Sequence, residues 1–191
     1  MITCLLLSAG HSERFGSPKA LAPFRGKTVI EHIQQMLLET SCDEIIVVLG
    51  AHGHQIWPLI FNHNRIRFVY NKNYNFGQLS SVQEGWRYAT EPSEGVMCLP
   101  VDCPLVQASS IEEIITCFKK DQPDILVPCY QDKKGHPPIL HSRLKKDVLD
   151  LPMDRGLNSI FTDHPPKTIN INDDGLIKSF NTKEELESLN K

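Results

Sequence analysis

The sequence predicts an α/β fold of three layers, with a largely parallel sheet covered by helices on both faces. Two observations point to it. Short apolar runs recur at 2–7, 44–49, 66–70, 95–99 and 124–128, in the form that strands buried on both faces take. Around them four Ser/Thr-x-x-Glu pairs, Thr28 with Glu31, Ser81 with Glu84, Ser109 with Glu112 and Thr182 with Glu185, read as helix N-termini beside apolar runs. Strands alternating with helices build βαβ units, whose crossovers cover the sheet. With 191 residues the chain can bury a substantial core, and 1–191 reads as a single domain.

Each element follows in order. The run 2–7 is a strand that begins almost at residue one and leads into the polar loop 8–21. Thr28 and Glu31 form a box that opens a helix to about Glu39. Strands at 44–49 and 66–70 come next, and Ser81 with Glu84 caps another helix before the strand 95–99. Ser109 with Glu112 caps the next helix, ahead of the strand 124–128. From 130 to 174 the rhythm breaks. Residues 131–135 read as a turn and prolines pair at 137–138 and 165–166, so an inserted hairpin and helices are expected over the sheet. Thr182 with Glu185 caps a short C-terminal helix.

Composition excludes several classes. A net charge of −3 and the lack of a basic, aromatic-laced stripe argue against nucleic acid and anionic membrane as partners. No basic segment precedes the first apolar run, and a polar loop follows too soon for a signal peptide or membrane span, so a cytoplasmic location is expected. The six cysteines are scattered without a C-x-x-C pair and read as reduced, buried side chains. His52, His54 and His63 read as surface-loop histidines rather than zinc ligands, having no cysteine or acidic neighbour.

The loop 8–21 carries the chemistry. Ser8, Ala9 and Gly10 let backbone approach a ligand, Gly16 permits a turn, and Arg14 and Lys19 add two cations. A strand entering such a loop is suited to polyphosphate. Gly26-Lys27-Thr28 is not a Walker A loop, because Leu21 stands where its first glycine belongs, and G-x-G-x-x-G is absent. The loops 8–21, 71–81 and 100–104 all follow strands and are expected to share one crevice. Asp102 ends a strand, where a single carboxylate together with phosphates can hold magnesium; the competing reading is a turn residue. Ser81 can serve a ligand or simply cap its helix.

In register, Ser8-Ala9-Gly10, Ser12, Arg14, Gly16 and Lys19 resemble the LAAGxSxRMGxxK signature of the MobA-like nucleotidyltransferases, with Phe15 in place of the usual Met. The resemblance implies a Rossmann-like nucleotidyltransferase fold with a mostly parallel, mixed sheet. It also implies transfer of a nucleoside monophosphate from an NTP to a phosphorylated small-molecule acceptor, with release of pyrophosphate. On that basis Arg14, Lys19 and Asp102 are catalytic, and Ser8, Ala9, Gly10, Ser12, Gly16, Gly77 and Ser81 contact nucleotide. Mg²⁺, with Mn²⁺ as substitute, sits on Asp102 of a D-x-P motif and on Asn181, where the family has an aspartate. Gly135-His136-Pro137 is similar to the GHP motif of the MocA-like branch, which moves CMP to molybdopterin. That similarity makes His136, Pro137 and Asp154 acceptor contacts, with Asn158 standing where arginine is usual. Ala9 favours CTP over GTP, and a molybdoenzyme or its chaperone is implied as protein partner. The alternatives are a sugar- or alditol-phosphate nucleotidyltransferase, a non-catalytic accessory protein that binds nucleotide or molybdenum cofactor, and a nucleotide-binding regulatory module.

Overall fold

A computed structural model describes residues 1–190. The leucine-, isoleucine- and valine-rich runs form strands with little or no exposure on either face: β1 (Ile2–Ser8), β4 (Glu44–Leu49) and β6 (Gly95–Pro100) are buried throughout. With β5 (Ile66–Tyr70), β7 (Ile125–Tyr130), β8 (Lys133–Lys134), β9 (Ile139–His141) and β10 (Lys167–Asn170) they build an eight-stranded sheet. Its order is β10-β7-β9-β6-β1-β4-β5, with β8 hydrogen-bonded to β7 beside this path. Pairings of β1 with β4 and β6, of β4 with β5, and of β7 with β10 are parallel. Only β8 and β9 run antiparallel to their neighbours. A separate small hairpin joins β2 (Pro23–Phe24) to β3 (Lys27–Thr28), and its turn holds Arg25 and Gly26 at positive φ.

Helices α1 (Val29–Leu38) and α4 (Ala108–Asp121) bury Ile33, Leu37, Ile114 and Phe118 against one face of the sheet. Ile56 of the short α2 (Gly53–Ile56) joins them. Helices α3 (Gln78–Tyr88) and α5 (Lys145–Asp150) bury Val82, Trp86 and Val148 on the other. The short α6 (Lys183–Leu189) follows. This is the expected three-layer α/β arrangement with a mostly parallel, mixed sheet. From β1 the chain moves outward through β4 to β5, then returns to place β6 on the other side of β1. The switch in direction falls beside β1, where open α/β sheets gather ligands. Among the described residues no helix is long and apolar enough to cross a membrane, and all six cysteines are free thiols.

Two of the four expected capping boxes form. Thr28 and Glu31 exchange hydrogen bonds at the start of α1, as do Thr182 and Glu185 at the start of α6. The other two do not. Gly77, at φ +87°, starts α3 ahead of Ser81, so Ser81 lies buried inside the helix and Glu84 pairs with Arg87 instead. Helix α4 starts at Ala108, before Ser109, with Gln107 at its N-cap and a distant carboxylate accepting that residue's N–H. Buried Asp173 accepts hydrogen bonds from Gln107 N, Gln107 Nε2, Ser110 Oγ and Gly175 N. Glu112 is left to bind Ser41.

The inserted hairpin also differs from expectation. It does not lie over the sheet but enters it, with β9 between β6 and β7, and β10 adds a parallel edge strand that no apolar run announced. The strand at 124–128 starts at Ile125, leaving Asp124 outside to bind Arg143 and His164.

Candidate active site

At the carboxyl ends of β1, β4 and β6 a crevice of about 210 Å³ is lined by residues of all three expected loops, among them Ser8, Gly10, Lys19, Gly77, Ser81 and Asp102. The loop after β1 is shaped by its own backbone. Ser12 stands in the left-handed region at φ 57°, and its carbonyl accepts hydrogen bonds from Phe15 N and Gly16 N, closing a tight turn. Gly16, at φ +75°, ends that turn without lining the crevice. Ser12 Oγ accepts a hydrogen bond from Lys19 N at 3.2 Å, folding the loop back so that Lys19 points inward.

Ala9 is held from behind. Its carbonyl accepts from Ala51 N at 3.0 Å, and Gly50 passes so close that a Cβ there would lie 2.4 Å from the Ala9 carbonyl oxygen. This close backbone approach requires glycine at position 50.

Four functional groups meet at one end of the crevice, of which Lys19 and Asp102 line it and Arg14 and Asn181 do not. Lys19 Nζ lies 3.0 Å from Asp102 Oδ2 and 3.0 Å from Asn181 Oδ1. Arg14 Nη2 donates to the same Asn181 Oδ1 at 2.7 Å. Phe180 anchors this end: its backbone N donates to the Asp102 carbonyl at 3.1 Å, and its ring packs edge-on against Phe15 and beneath the Lys19 ammonium, 5.3 Å away. Asp102 Oδ2 and Asn181 Oδ1 are hard oxygen donors converging on one cation, a donor set suited to magnesium or manganese when phosphate oxygens complete it. Among the described residues no group of three or more His, Cys, Asp or Glu side chains could hold a metal ion unaided. The residues present fit a cation that arrives with phosphates.

His136 comes within reach of the Asp102 charge, though neither it nor Pro137 lines the crevice, because β9 is antiparallel. A strand that runs backwards puts the loop before it, not after it, at the carboxyl edge of the parallel strands. His136 N donates to the Leu176 carbonyl at 2.8 Å, and Gly135 packs so tightly beneath Leu176 that no Cβ fits. Burial pushes the His136 pKa down, with the charge of Asp102 pulling the other way, so the ring is neutral near pH 7. Its Nδ1 is buried without a hydrogen-bond partner. Pro137 is buried behind it. Asp154 is not brought to the crevice: it lies exposed in a turn and is absent from the lining. Cys103, next to Asp102, is a neutral thiol, its pKa pushed up by burial first and the Asp102 charge second.

Sequence reasoning brought the loop 71–81 to the other wall without singling out Tyr74 or Gln78, and it left His52 out. Tyr74, Gln78 and His52 line the crevice. His52 Nε2 donates to the His11 carbonyl at 3.0 Å, while the His11 ring pairs with Asn75 Oδ1 at 2.7 Å and packs edge-on against Tyr74. Its position directly after the strand 44–49 was the available signal, the same one that picked out the other loops.

A family model described as the MobA-like NTP transferase domain matches residues 4–168. The chain belongs to that family. Nicotine blue oxidoreductase of Paenarthrobacter nicotinovorans is 27% identical to this MobA-like chain over 159 residues, covering 77% of the chain and 74% of that protein. The bifunctional protein GlmU of Syntrophomonas wolfei is also 27% identical, over 74% of the chain, but the alignment spans only 32% of GlmU. Among solved structures, Rv0371c of Mycobacterium tuberculosis H37Rv has the same fold, with a TM-score of 0.85 and 22% identity over 98% of this chain and 96% of that one. Rv0371c has also been solved in complex with manganese. The MobA-like assignment agrees with the α/β topology and with the loop signature at 8–19.

Proposed function

We propose that this MobA-like protein transfers a nucleoside monophosphate, CMP in preference to GMP, from an NTP to a phosphorylated acceptor, with molybdopterin the favoured acceptor. The observation that carries the reading is the meeting of Arg14, Lys19, Asp102 and Asn181 beside the glycine loop. An oxygen of the acceptor phosphate attacks the α-phosphorus, the bond to the β-phosphate bridging oxygen breaks, and pyrophosphate leaves. Such a displacement needs positioning and charge neutralisation rather than a protein nucleophile. Lys19 and Arg14 take the charge of the leaving pyrophosphate, and Ser8, Ala9, Gly10, Ser12, Gly16, Gly77 and Ser81 shape the nucleotide cradle. A divalent cation on the oxygens of Asp102 and Asn181 supplies further charge neutralisation when bound. His136 is neutral, and its unpaired, buried Nδ1 becomes a hydrogen-bonding group for the acceptor if the loop before β9 opens toward it. Ala9, locked against Gly50, supports the smaller pyrimidine base. The ATP-rich, reducing cytoplasm is the compartment this chemistry suits.

Asp154 supports the acceptor role less well, since it lies exposed in a turn outside the crevice. Together with the uncharged Asn181 this favours one second reading, an accessory protein that binds nucleotide without turnover. Pyrophosphate release, followed with each NTP in the presence and absence of molybdopterin, separates the two. Turnover is expected with CTP and molybdopterin, and Lys19→Ala or Arg14→Ala should each lower it by about 10²–10³ while leaving thermal unfolding near the wild-type midpoint. Tight NTP binding with no pyrophosphate from any pair would replace the enzyme by the accessory protein.

A further inference from the structure

Lys19 stands where a metal ion would have to stand. Its ammonium lies at 3.0 Å from both oxygens of the donor pair, Asp102 Oδ2 and Asn181 Oδ1, and a Phe180 ring supports it from below at 5.3 Å. The two donors are held in place independently of it. Asp102 stands in the turn two residues past β6 and is tied through its carbonyl to Phe180 N, while Asn181 is fixed by the Thr182–Glu185 cap and by Arg14. The movable member is Lys19, a compact charge on a flexible four-carbon stem. One set of oxygens therefore has two competing cations.

We propose that Lys19 is the metal's stand-in in the nucleotide-free site, so that a divalent cation takes Asp102 and Asn181 only when a triphosphate draws Lys19 away. This inference rests on the nucleotidyl-transfer reading above. The ammonium, partly buried with 12% of its side chain exposed, neutralises Asp102 in the free protein. An incoming β- or γ-phosphate offers Lys19 a stronger anionic partner and at the same time brings oxygens to complete the metal's shell. Nucleotide and metal then load together. By linkage each must tighten the other by the same factor.

The test measures Mn²⁺ binding by electron paramagnetic resonance of the free ion, with the full chain, in the presence and absence of the α,β-methylene analogues of CTP and GTP. The better-binding analogue should tighten Mn²⁺ by about tenfold or more, and Lys19→Met should tighten nucleotide-free Mn²⁺ by about tenfold. Mn²⁺ alone should also raise the thermal midpoint of the Lys19→Met protein and not that of the wild type. Arg14→Met removes a neighbouring charge that touches Asn181 but not Asp102, and should change nucleotide-free Mn²⁺ affinity by less than about threefold. Equal gains in the Lys19 and Arg14 variants would mean a general electrostatic field and overturn the exchange. So would wild-type Mn²⁺ affinity that is indifferent to nucleotide, although the metal site itself would stand. Absence of Mn²⁺ binding under every condition overturns both the exchange and the metal-dependent reading beneath it. Lys19→Gln replaces the methionine variant if that does not fold, and the wild-type comparison needs neither.

Discussion

Gly10 lines the crevice and Gly50 packs behind its wall against Ala9, and the two face opposite demands. A methyl group at 50 would meet the Ala9 carbonyl oxygen at 2.4 Å and Tyr74 Cβ at 2.8 Å, and backbone cannot yield as a flexible side chain can. Gly50→Ala should cost about 1–3 kcal/mol of stability, read as a lower urea midpoint, because overpacking displaces the loop behind Ala9. At Gly10 a Cβ meets nothing within 4 Å, yet the residue lines the crevice. Gly10→Ala should therefore leave the urea midpoint near wild type and weaken NTP binding, measured by titration calorimetry. Equal effects of the two substitutions on folding would refute this division between packing and ligand space. Neither distinction is visible in the sequence, where both are glycines following a strand. Close approach is a property of two segments at once, and only the fold brings residues 9, 50 and 74 together.

Helix starts show the same limit from the other side. At α1 and α6 the local box forms, so what the residues say to their neighbours is what the chain does. At α3 a glycine at φ +87° starts the helix early, and at α4 the N-cap residue Gln107 is held by Asp173, 66 residues away. Local patterns could not reveal a donor and acceptor pairing across that distance. Thr28→Ala should lower global stability by about 1 kcal/mol through loss of the cap. Asp173→Ala, which strands four donors at a buried site, should cost more, about 1–3 kcal/mol or above. Thr182→Ala should act locally, speeding amide exchange in Lys183–Leu189 and weakening Mn²⁺ binding with nucleotide through the loosened Asn181, with little change in the global midpoint. Strands were legible wherever both faces were apolar. The strand β10 was not, because its Lys167–Asn170 side chains are polar or half-exposed at the sheet edge.

At the scale of the molecule, acid should unfold this protein in two stages. His32, His136 and His141 all have pKa values pushed below 6.5, burial being the first cause in each. For His32 a hydrogen bond to the Pro104 carbonyl resists the shift. Where the folded pKa lies below the unfolded one, the unfolded chain binds the proton more readily, so stability present above about pH 6.5 is lost as pH falls toward the folded value. Carboxylates give the second stage. Hydrogen bonds from Thr28 lower the pKa of Glu31, and those from His164 and Arg143 lower that of Asp124. A depressed carboxylate stabilises above its unfolded value near 4 and loses that contribution as pH falls through the folded one. Urea midpoints followed by tryptophan fluorescence, with Trp86 1% exposed, should start to fall as pH drops past about 6.5 and fall again as it drops past about 4.5. His32→Gln should flatten the first decline.

The candidate site was half legible on the same whole-molecule grounds. Loops that follow parallel strands could be gathered into one crevice from their order alone, which placed 8–21, 71–81 and 100–104 correctly. His136 could not be gathered that way, since it precedes its strand, and only the motif resemblance singled it out. The reversed strand β9 has a consequence for how this scaffold diversifies. The proposed nucleotide cradle hangs from forward strands, whereas the proposed acceptor wall hangs from an inserted piece that runs against them. The two halves can drift at different rates, so a lineage can exchange its acceptor by rewriting the segment around His136 while inheriting the cradle intact. Ile139 and Leu140 set the boundary of that freedom: they are fully buried between β6 and β7, and any transplanted wall must bring an apolar strand of the same reach to keep the sheet whole.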